Sequence, residues 1–127
     1  MSHELGLKKG IKKSDEWYDR AKKTIASGTN TFSRAPGVFP DGAAPKFLHK
    51  QHGSHTWDVD GNEYIDMVMG CGPVTLGHNH PVINDAIKRQ MDDGILYSML
   101  HPLEVVVAEK LIKYIPSAEM VKFSKNG

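Results

Sequence analysis

The stretch "WDVDGNEYIDMVMGCGPVTLGHNHP", Trp57 to Pro81, decides the fold of this chain. It opens on alternating apolar and polar residues around Asp60-Gly61, a dipeptide typical of tight hairpins because both central residues must tolerate positive φ. It continues as a segment rich in glycine and proline, without periodicity. Pro81 then suits the first turn of a helix. The stretch therefore predicts a hairpin, an irregular loop and a helix, in that order.

The oxygen-rich hairpin could also be read as a metal-binding loop. A calcium loop of the EF-hand type needs glycine at position 6 and a bidentate glutamate at position 12. Counted from Asp58, these positions hold Glu63 and Met69, so the spacing favours turn chemistry. His78 and His80 alternate as two ligands on an extended segment would, but no third ligand stands at helical or hairpin spacing. We therefore predict no metal site, and structural roles for both histidines near the helix start.

Hydrophobic periodicity, together with residues that commonly start or end helices, predicts three helices. The first is capped by Ser14 and ends at Gly28, the second runs from Pro81 to Gly94, and the third opens at Pro102. The third helix has an apolar stripe that we expect to be buried, formed by Leu103, Val106, Val107, Leu111 and Tyr114. Four short strands are predicted at Lys46–Gln51, His55–Val59, Glu63–Met67 and Glu119–Phe123.

The predicted strand Glu119–Phe123 matters for the overall architecture. A helix, a turn and a strand form the first half of an α/β crossover, which needs further strands and helices to cover both faces of its sheet. The pattern favours the N-terminal piece of a longer protein over a small complete α+β domain. The loop Ser124–Gly127 would then follow a strand, where α/β proteins bind ligands. Its small residues could cradle a phosphate if a helix follows, or form an ordinary Asn-Gly turn.

The composition is that of a soluble globular domain with one core. The 127 residues are 39% hydrophobic and 24% charged, and 16 basic against 15 acidic residues give a net charge of +1. Such a balance argues against nucleic acid or an anionic membrane as a partner. Cys71 is the single cysteine of the sequence, which fits a reducing compartment, and no apolar run approaches the roughly 18 residues of a membrane span. We predict a cytoplasmic protein.

Two positions are candidates for chemistry on residue type alone. Arg34 stands in a long segment without periodicity, 29–45, where an arginine could clamp a carboxylate or phosphate or simply be exposed to solvent. Cys71 has a glycine on each side, which gives access to its thiol. A catalytic thiol needs a nearby base that the sequence does not supply, so a cysteine that lines a pocket or is inert is favoured over a nucleophile.

The stretch Trp57 to Pro81 resembles the class III pyridoxal-phosphate-dependent aminotransferases, and within them most closely the glutamate-1-semialdehyde 2,1-aminomutase branch. That branch reads like W-D-V-D-G-N-x-Y-I-D, then G-P, then L-G-H-x-H-P, and each element occurs here in order. The resemblance covers about residues 28 to 127. It implies the α/β fold of the fold type I pyridoxal-phosphate transferases, of which this chain would be the N-terminal portion.

In that scheme residues 1–68 form the N-terminal part of the small domain, a helix and a three-stranded antiparallel sheet. Residues 69–127 begin the large domain with its first helices and strand. The resemblance also implies a homodimer with active sites at the interface, a small-molecule substrate, and pyridoxal phosphate as the cofactor. The lysine that carries the cofactor in this family lies downstream, so the resemblance implies no catalytic residue within this chain and no activity of these residues alone.

The resemblance assigns roles to a few residues. Arg34 matches the arginine that binds the substrate carboxylate, and Asn126 and Gly127 match the cup that holds the cofactor phosphate, although the family has serine at the first of these two positions. Gly70 and Cys71 stand where the aminomutase branch has a hydroxyl residue and a tryptophan lining the substrate pocket. Their small side chains imply a more open pocket, so a bulkier substrate such as a keto sugar is an alternative. A further alternative is a non-catalytic fragment, or one half of a split protein that binds a complementary chain.

Overall fold

The computed structural model of this chain describes residues 10–39 and 44–124. They divide into two compact units, which meet in sequence between Asn84 and Asp85. The helices and strands of the described residues are α1 (Lys12–Thr24), β1 (Leu48–His52), β2 (His55–Asp58), β3 (Glu63–Ile65), α2 (Pro81–Asp93) and α3 (Pro102–Tyr114). None of these helices is both long and apolar enough to cross a membrane.

The three strands form an antiparallel sheet in the order β1-β2-β3, which confirms the three strands predicted in this region. The central strand β2 pairs through His52↔His55 on one side and Thr56↔Tyr64 on the other. Two polar residues of β2, Thr56 and Asp58, are buried. The sheet therefore has a polar, hydrogen-bonded centre, and the geometry of the β2–β3 connection follows from it.

The β2–β3 connection is wider than the predicted two-residue hairpin turn. The Gly61 amide donates to the Asp58 carbonyl at 3.1 Å, and the Asp58 amide donates to the Asn62 carbonyl at 3.0 Å. Gly61 has a φ of 90°, whereas Asp60 is not among the residues with positive φ. The expectation of positive φ at both central residues was wrong, because a three-residue loop that ends in a left-handed glycine needs only one. Asp60 is thereby available for another role.

Asp60 caps the N-terminus of α1. Its Oδ1 accepts a hydrogen bond from the amide of Lys13 at 2.8 Å, and its Oδ2 accepts one from the amide of Ser14 at 2.9 Å. The prediction that Ser14 caps this helix was wrong. Ser14 lies inside the helix and is fully buried, and its Oγ accepts hydrogen bonds from the amides of Lys46 and Phe47. The helix is thus attached to the sheet at two points by polar contacts over long sequence separations.

The predicted starts of α2 and α3 at Pro81 and Pro102 are confirmed. Helix α2 ends at Asp93, directly before the predicted stop at Gly94, which has a φ of 104°. The start of α3 has a capping box, in which His101 Nδ1 accepts from the Leu103 amide and Glu104 accepts from the His101 amide. The first helix ends at Thr24, before the predicted stop at Gly28. That glycine instead packs closely, since an added Cβ would lie 2.9 Å from the Tyr18 ring.

Two predictions about the C-terminal unit were wrong. The stripe of α3 that was expected to be buried is largely exposed, with Leu103 at 49%, Val106 at 41% and Tyr114 at 74%. The segment predicted as the strand Glu119–Phe123 has no regular structure. A strand needs a hydrogen-bonded neighbour and an apolar stripe needs a covering face, and the described residues of this unit supply neither.

The cap on α1 leads to a first testable expectation. Replacing Asp60 by alanine leaves two amides at the helix N-terminus without their acceptors, which should lower the free energy of unfolding by about 1–2 kcal/mol. Asp60→Asn, which retains an acceptor oxygen, should lose less. Urea unfolding of the full-length polypeptide measures the difference. The control is Asp19→Ala, which removes an exposed ion pair with Lys22 on the same helix and should lower the stability less than Asp60→Ala does, because solvent screens an exposed pair. Equal losses in the two alanine variants would contradict the capping role.

Candidate functional site

A closed loop runs from Asp66 to His78 and contains the glycine-rich segment identified from the sequence. At one end the Asp66 amide donates to the Ser54 carbonyl at 2.8 Å. At the other end His78 and Gly53 exchange two backbone hydrogen bonds, each of 2.8 Å. Both ends are therefore attached to the turn between β1 and β2. We call this segment the glycine-rich loop.

Four consecutive residues of the glycine-rich loop adopt positive φ. The angles are 47° at Met69, 64° at Gly70, 61° at Cys71 and 121° at Gly72. Glycine takes such angles freely, but for each of the other two residues the cost is on the order of 1–3 kcal/mol. We call residues Met69–Gly72 the left-handed turn. Such conformations persist only where the surrounding structure enforces them, and they are concentrated at functional sites.

The left-handed turn exposes two of the predicted site residues. Gly70 and Cys71 are both exposed, so the access to the thiol expected from the flanking glycines is confirmed. The Cys71 amide donates to the Val68 carbonyl at 2.9 Å, and the Gly72 amide donates to the Met69 carbonyl at 3.3 Å. The turn presents backbone and a small thiol side chain rather than a large ring.

Asp66 connects the start of the loop to its end. Its Oδ1 accepts hydrogen bonds from the amides of Val68 at 2.8 Å and Met69 at 3.1 Å, and its Oδ2 lies 2.6 Å from Nε2 of His78. The side chains of Asp66 and His78 are only 10% and 11% exposed. Burial acts to raise the pKa of Asp66, but the hydrogen bonds from His78, Met69 and Val68 outweigh it, and the pKa is lowered.

The end of the glycine-rich loop packs backbone against backbone. Gly77 has a φ of 91°, and a Cβ added there would lie 3.2 Å from the Cα of Gly53. Both the angle and the close approach favour glycine. The contact fixes where the loop returns to the sheet.

The Asp58 oxygens, from which the metal-loop spacing was counted, accept hydrogen bonds inside the hairpin. Asp58 accepts hydrogen bonds from the Asp60 amide, from the amide and side chain of Asn62, and from the Tyr64 hydroxyl, all at 2.8–2.9 Å. The interpretation that these polar residues form a hydrogen-bonded turn is thus confirmed. Within residues 10–39 and 44–124, no group of three or more His, Cys, Asp or Glu side chains is arranged to hold a metal ion.

The same hydrogen bonds shift the pKa values of Asp58 and Tyr64. Burial works against the charge on Asp58, but the hydrogen bonds from Asn62, Tyr64 and Asp60 outweigh it and lower the pKa of this carboxyl. Burial and the hydrogen bond to Asp58 raise the pKa of Tyr64 to about 12. The pair is therefore a carboxylate and a neutral phenol across the physiological range.

Arg34 lies in a short 3-10 turn, Phe32–Arg34, within the segment for which the sequence shows no periodicity. Its side chain is exposed, and among the described residues its guanidinium forms no hydrogen bond or ion pair. No hydrogen bond joins it to Gly70 or Cys71 in the described part of the chain. Asn126 and Gly127, the predicted phosphate contacts, lie outside the described residues.

The sequence pattern does not identify Asp66 as a site residue. The one local signal is an aspartate at the end of a strand, two residues before an amide that its side chain can accept from, as in an Asx turn. His78 was expected to have a structural role, and its ring does bind a buried carboxylate. The pairing between the two depends on a fold that brings together residues 12 apart in sequence, which local patterns do not show.

A family model described as aminotransferase class-III matches residues 39–127. Curated relatives include glutamate-1-semialdehyde 2,1-aminomutases from Acetivibrio thermocellus, 41% identical over 117 residues, and from Methanosarcina acetivorans, 44% identical over 117 residues. Each alignment covers 92% of this chain and 27% or 26% of the relative, respectively. This chain thus spans about a quarter of the length of the curated relatives that it matches.

Solved structures give the same result for the fold. An omega-transaminase from Sphaerobacter thermophilus superimposes with a TM-score of 0.77 at 30% identity, covering 90% of this chain and 25% of that one. The FumI protein from Sphingopyxis sp. MTA144 gives 0.82 at 26% identity, covering 91% and 28%. A transaminase with PLP bound gives 0.80 at 28% identity, covering 92% and 26%. The predicted fold class, the N-terminal portion of the fold type I transferases, is confirmed, while the division of domains at residues 68 and 69 stays a prediction.

The shifted pKa values give an expectation for stability against pH. Asp58 and Asp66 have lowered pKa values in the folded state, so their contribution is present above pH of about 4 and is lost as the pH falls through the folded values. Tyr64 has a raised value, so its contribution is present below its ordinary pKa of 10.0 and is lost as the pH rises through about 12.

Urea unfolding as a function of pH tests this linkage. Tyr64→Phe should flatten the alkaline loss of stability, and Asp58→Asn should flatten part of the acid loss. Tyr114→Phe is the matched control, because that tyrosine is 74% exposed. The expectation is wrong if Tyr64→Phe and Tyr114→Phe change the alkaline limb equally.

Proposed function

This chain belongs to the class III aminotransferases, and on that premise we propose that it forms the N-terminal part of a pyridoxal-phosphate-dependent aminotransferase or aminomutase. The observation that carries the proposal is the family match over residues 39–127, which includes the whole sheet and the glycine-rich loop. The substrate in this proposal is a small amino or oxo compound that bears a carboxylate. The complete enzyme would work as a homodimer in the cytoplasm.

Pyridoxal phosphate supplies the electron sink for such chemistry, while the protein binds and orients it. Within this chain, Asn126 and Gly127 are the residues proposed to hold its phosphate. Their types fit that task, because a small-residue turn offers backbone N–H groups to an anion. The lysine that carries the cofactor in the family is proposed to lie beyond these residues, so this segment alone would bind and orient rather than react.

Arg34 is the proposed carboxylate clamp. Its side chain is exposed, and a guanidinium carries five N–H donors that a ligand can accept from. A planar guanidinium can bind both oxygens of a carboxylate at once, which fixes the orientation of the substrate as well as its affinity. This role follows from the family resemblance, and the exposure of the side chain is compatible with it.

Gly70 and Cys71 are the proposed lining of the substrate pocket. The left-handed turn presents the backbone of Gly70 and the small thiol of Cys71, both exposed. Where small side chains replace a large ring, space opens for a larger substrate. An aminotransferase for a keto sugar or another bulky oxo compound is therefore the alternative within the same class.

A rival of a different class is a non-catalytic chain that binds a complementary polypeptide. The exposed apolar stripe of α3 favours it, since an uncovered stripe of this kind is suited to a partner surface. Under that alternative no cofactor is needed. Cofactor binding therefore separates the two proposals.

The full-length polypeptide, purified with its natural continuation, should show the visible absorbance of enzyme-bound pyridoxal phosphate. Borohydride should abolish that band and leave the cofactor covalently attached, as an intact mass would record. A full-length protein that neither contains the cofactor nor takes it up on addition would overturn the proposed function and favour the binding role.

Arg34→Lys should raise KM for a carboxylate substrate by about tenfold or more, because an ammonium cannot bind both oxygens in the same plane. The same variant should change kinetics little for an analogue in which an amide replaces the carboxylate. Arg89→Lys, at an exposed position of α2, is the matched control. An unchanged KM for the carboxylate substrate in Arg34→Lys would remove this residue from the pocket.

A further inference from the structure

We propose that Asp66 and His78 are positioning residues which hold the left-handed turn in the conformation that presents Gly70 and Cys71. Their consequence for substrate binding rests on the proposed function, while their effect on the turn follows from the geometry of this chain. We call the two side chains the clasp.

The turn needs an external constraint. Met69 and Cys71 occupy a region of φ that residues with a Cβ seldom adopt, and they do so on either side of Gly70. The hydrogen bonds inside the turn, from Cys71 to Val68 and from Gly72 to Met69, connect residues three apart and would be available to other turn types. They do not by themselves select the left-handed conformation.

The clasp supplies that constraint at the start of the turn. One carboxylate oxygen of Asp66 binds the amides of Val68 and Met69, so it fixes the backbone immediately before and at the first left-handed residue. The other oxygen binds the ring of His78. Because both side chains are about nine-tenths buried, solvent competes weakly for these bonds.

The other end of the clasp is attached to the sheet through the backbone. His78 is paired by two backbone hydrogen bonds to Gly53, in the turn between the first two strands. The preceding residue, Gly77, lies so close to Gly53 that an added Cβ would stand 3.2 Å from the Gly53 Cα. The carboxylate of Asp66 therefore connects the left-handed turn to the sheet, in addition to the bonds inside the turn and the bond of 3.4 Å from the Val74 amide to the Met69 carbonyl.

A second histidine and carboxylate pair on the same sheet provides a matched comparison. His55 Nδ1 lies 2.8 Å from Glu63 Oε1, but these side chains are 44% and 51% exposed. An exposed pair of this kind contributes little to conformation. It has the same chemistry as the clasp without its burial or its bonds to the loop.

The test is amide hydrogen exchange in the full-length polypeptide, followed by mass spectrometry of peptides from residues 69–77. In His78→Ala, exchange at the Cys71 and Gly72 amides should rise about tenfold or more, although this substitution removes no direct partner of either amide. Asp66→Ala should give a similar rise, and the double variant should add little, because the two residues act as one unit. In the clasp variants, the exchange rates of peptides from α1 should be unchanged. In His55→Ala, the exchange rates of all peptides should be unchanged.

Conservative variants keep the test decisive if an alanine variant does not fold. Asp66→Asn retains an acceptor for the two amides, and His78→Gln retains a donor at the position of Nε2, so both should restore most of the protection. Unchanged exchange at Cys71 and Gly72 in folded clasp variants would overturn the proposal. A rise spread evenly over the whole chain would also overturn it, since that would report lost stability rather than lost positioning.

Kinetics extend the test to the substrate. With a bound cofactor, His78→Ala should raise KM by at least about fivefold with a smaller change in kcat, because Gly70 and Cys71 are assigned to binding rather than to reaction. His78→Gln should return KM toward the original value. A polypeptide that lacks the cofactor would refute the proposed function while leaving the exchange result to decide the role of the clasp.

Discussion

The buried carboxylate of Asp58 is the interaction on which the N-terminal unit depends. It is 2% exposed and accepts four hydrogen bonds, which together fix the conformation of the β2–β3 connection. A buried carboxylate that lost these donors would be strongly unfavourable, so the connection has little freedom. With its backbone fixed, Asp60 is directed to the N-terminus of α1, and Asn62 donates to the Gly10 carbonyl just before that helix.

The same connection sets the start of the candidate site. It fixes the register of β3, which pairs His55 with Ile65 and so places Asp66 beside Ser54. From there the Asp66 side chain reaches His78 across the glycine-rich loop. A network of backbone amides and carboxylates thus runs from the cap of α1 to the left-handed turn. These polar contacts, rather than a large apolar core, hold this part of the chain together. The only buried hydrophobic residue of the described chain is Ala21.

Local signals predicted those features that are determined locally. Pro81 and Pro102 marked two helix starts because proline fits the first helical turn, and Asp60-Gly61 marked a hairpin because glycine accepts a left-handed φ. The sequence could not show that Asp60 would cap a helix 46 residues earlier, since such a cap requires the tertiary fold.

Two predictions failed for a different reason: the strand expected at Glu119–Phe123 and the burial expected for the apolar stripe of α3. Periodicity shows that a segment can pair or pack, but pairing requires a neighbour, and the described residues provide none there. The features of the candidate site were likewise predictable only in part. The flanking glycines indicated an accessible Cys71, and the resemblance of the motifs indicated the family. The buried contact of Asp66 with His78 depends on the tertiary fold, so local sequence patterns did not predict it.

We propose that the glycine-rich loop, held to the sheet at both ends, borders the pocket where cofactor and substrate meet. A crystal structure of the full-length polypeptide with pyridoxal phosphate and an unreactive carboxylate analogue tests it directly. We expect atoms of Gly70 or Cys71 within about 4 Å of the analogue, in van der Waals contact, with the bond between Asp66 and His78 intact. An analogue bound beside the cofactor but remote from this turn would contradict it.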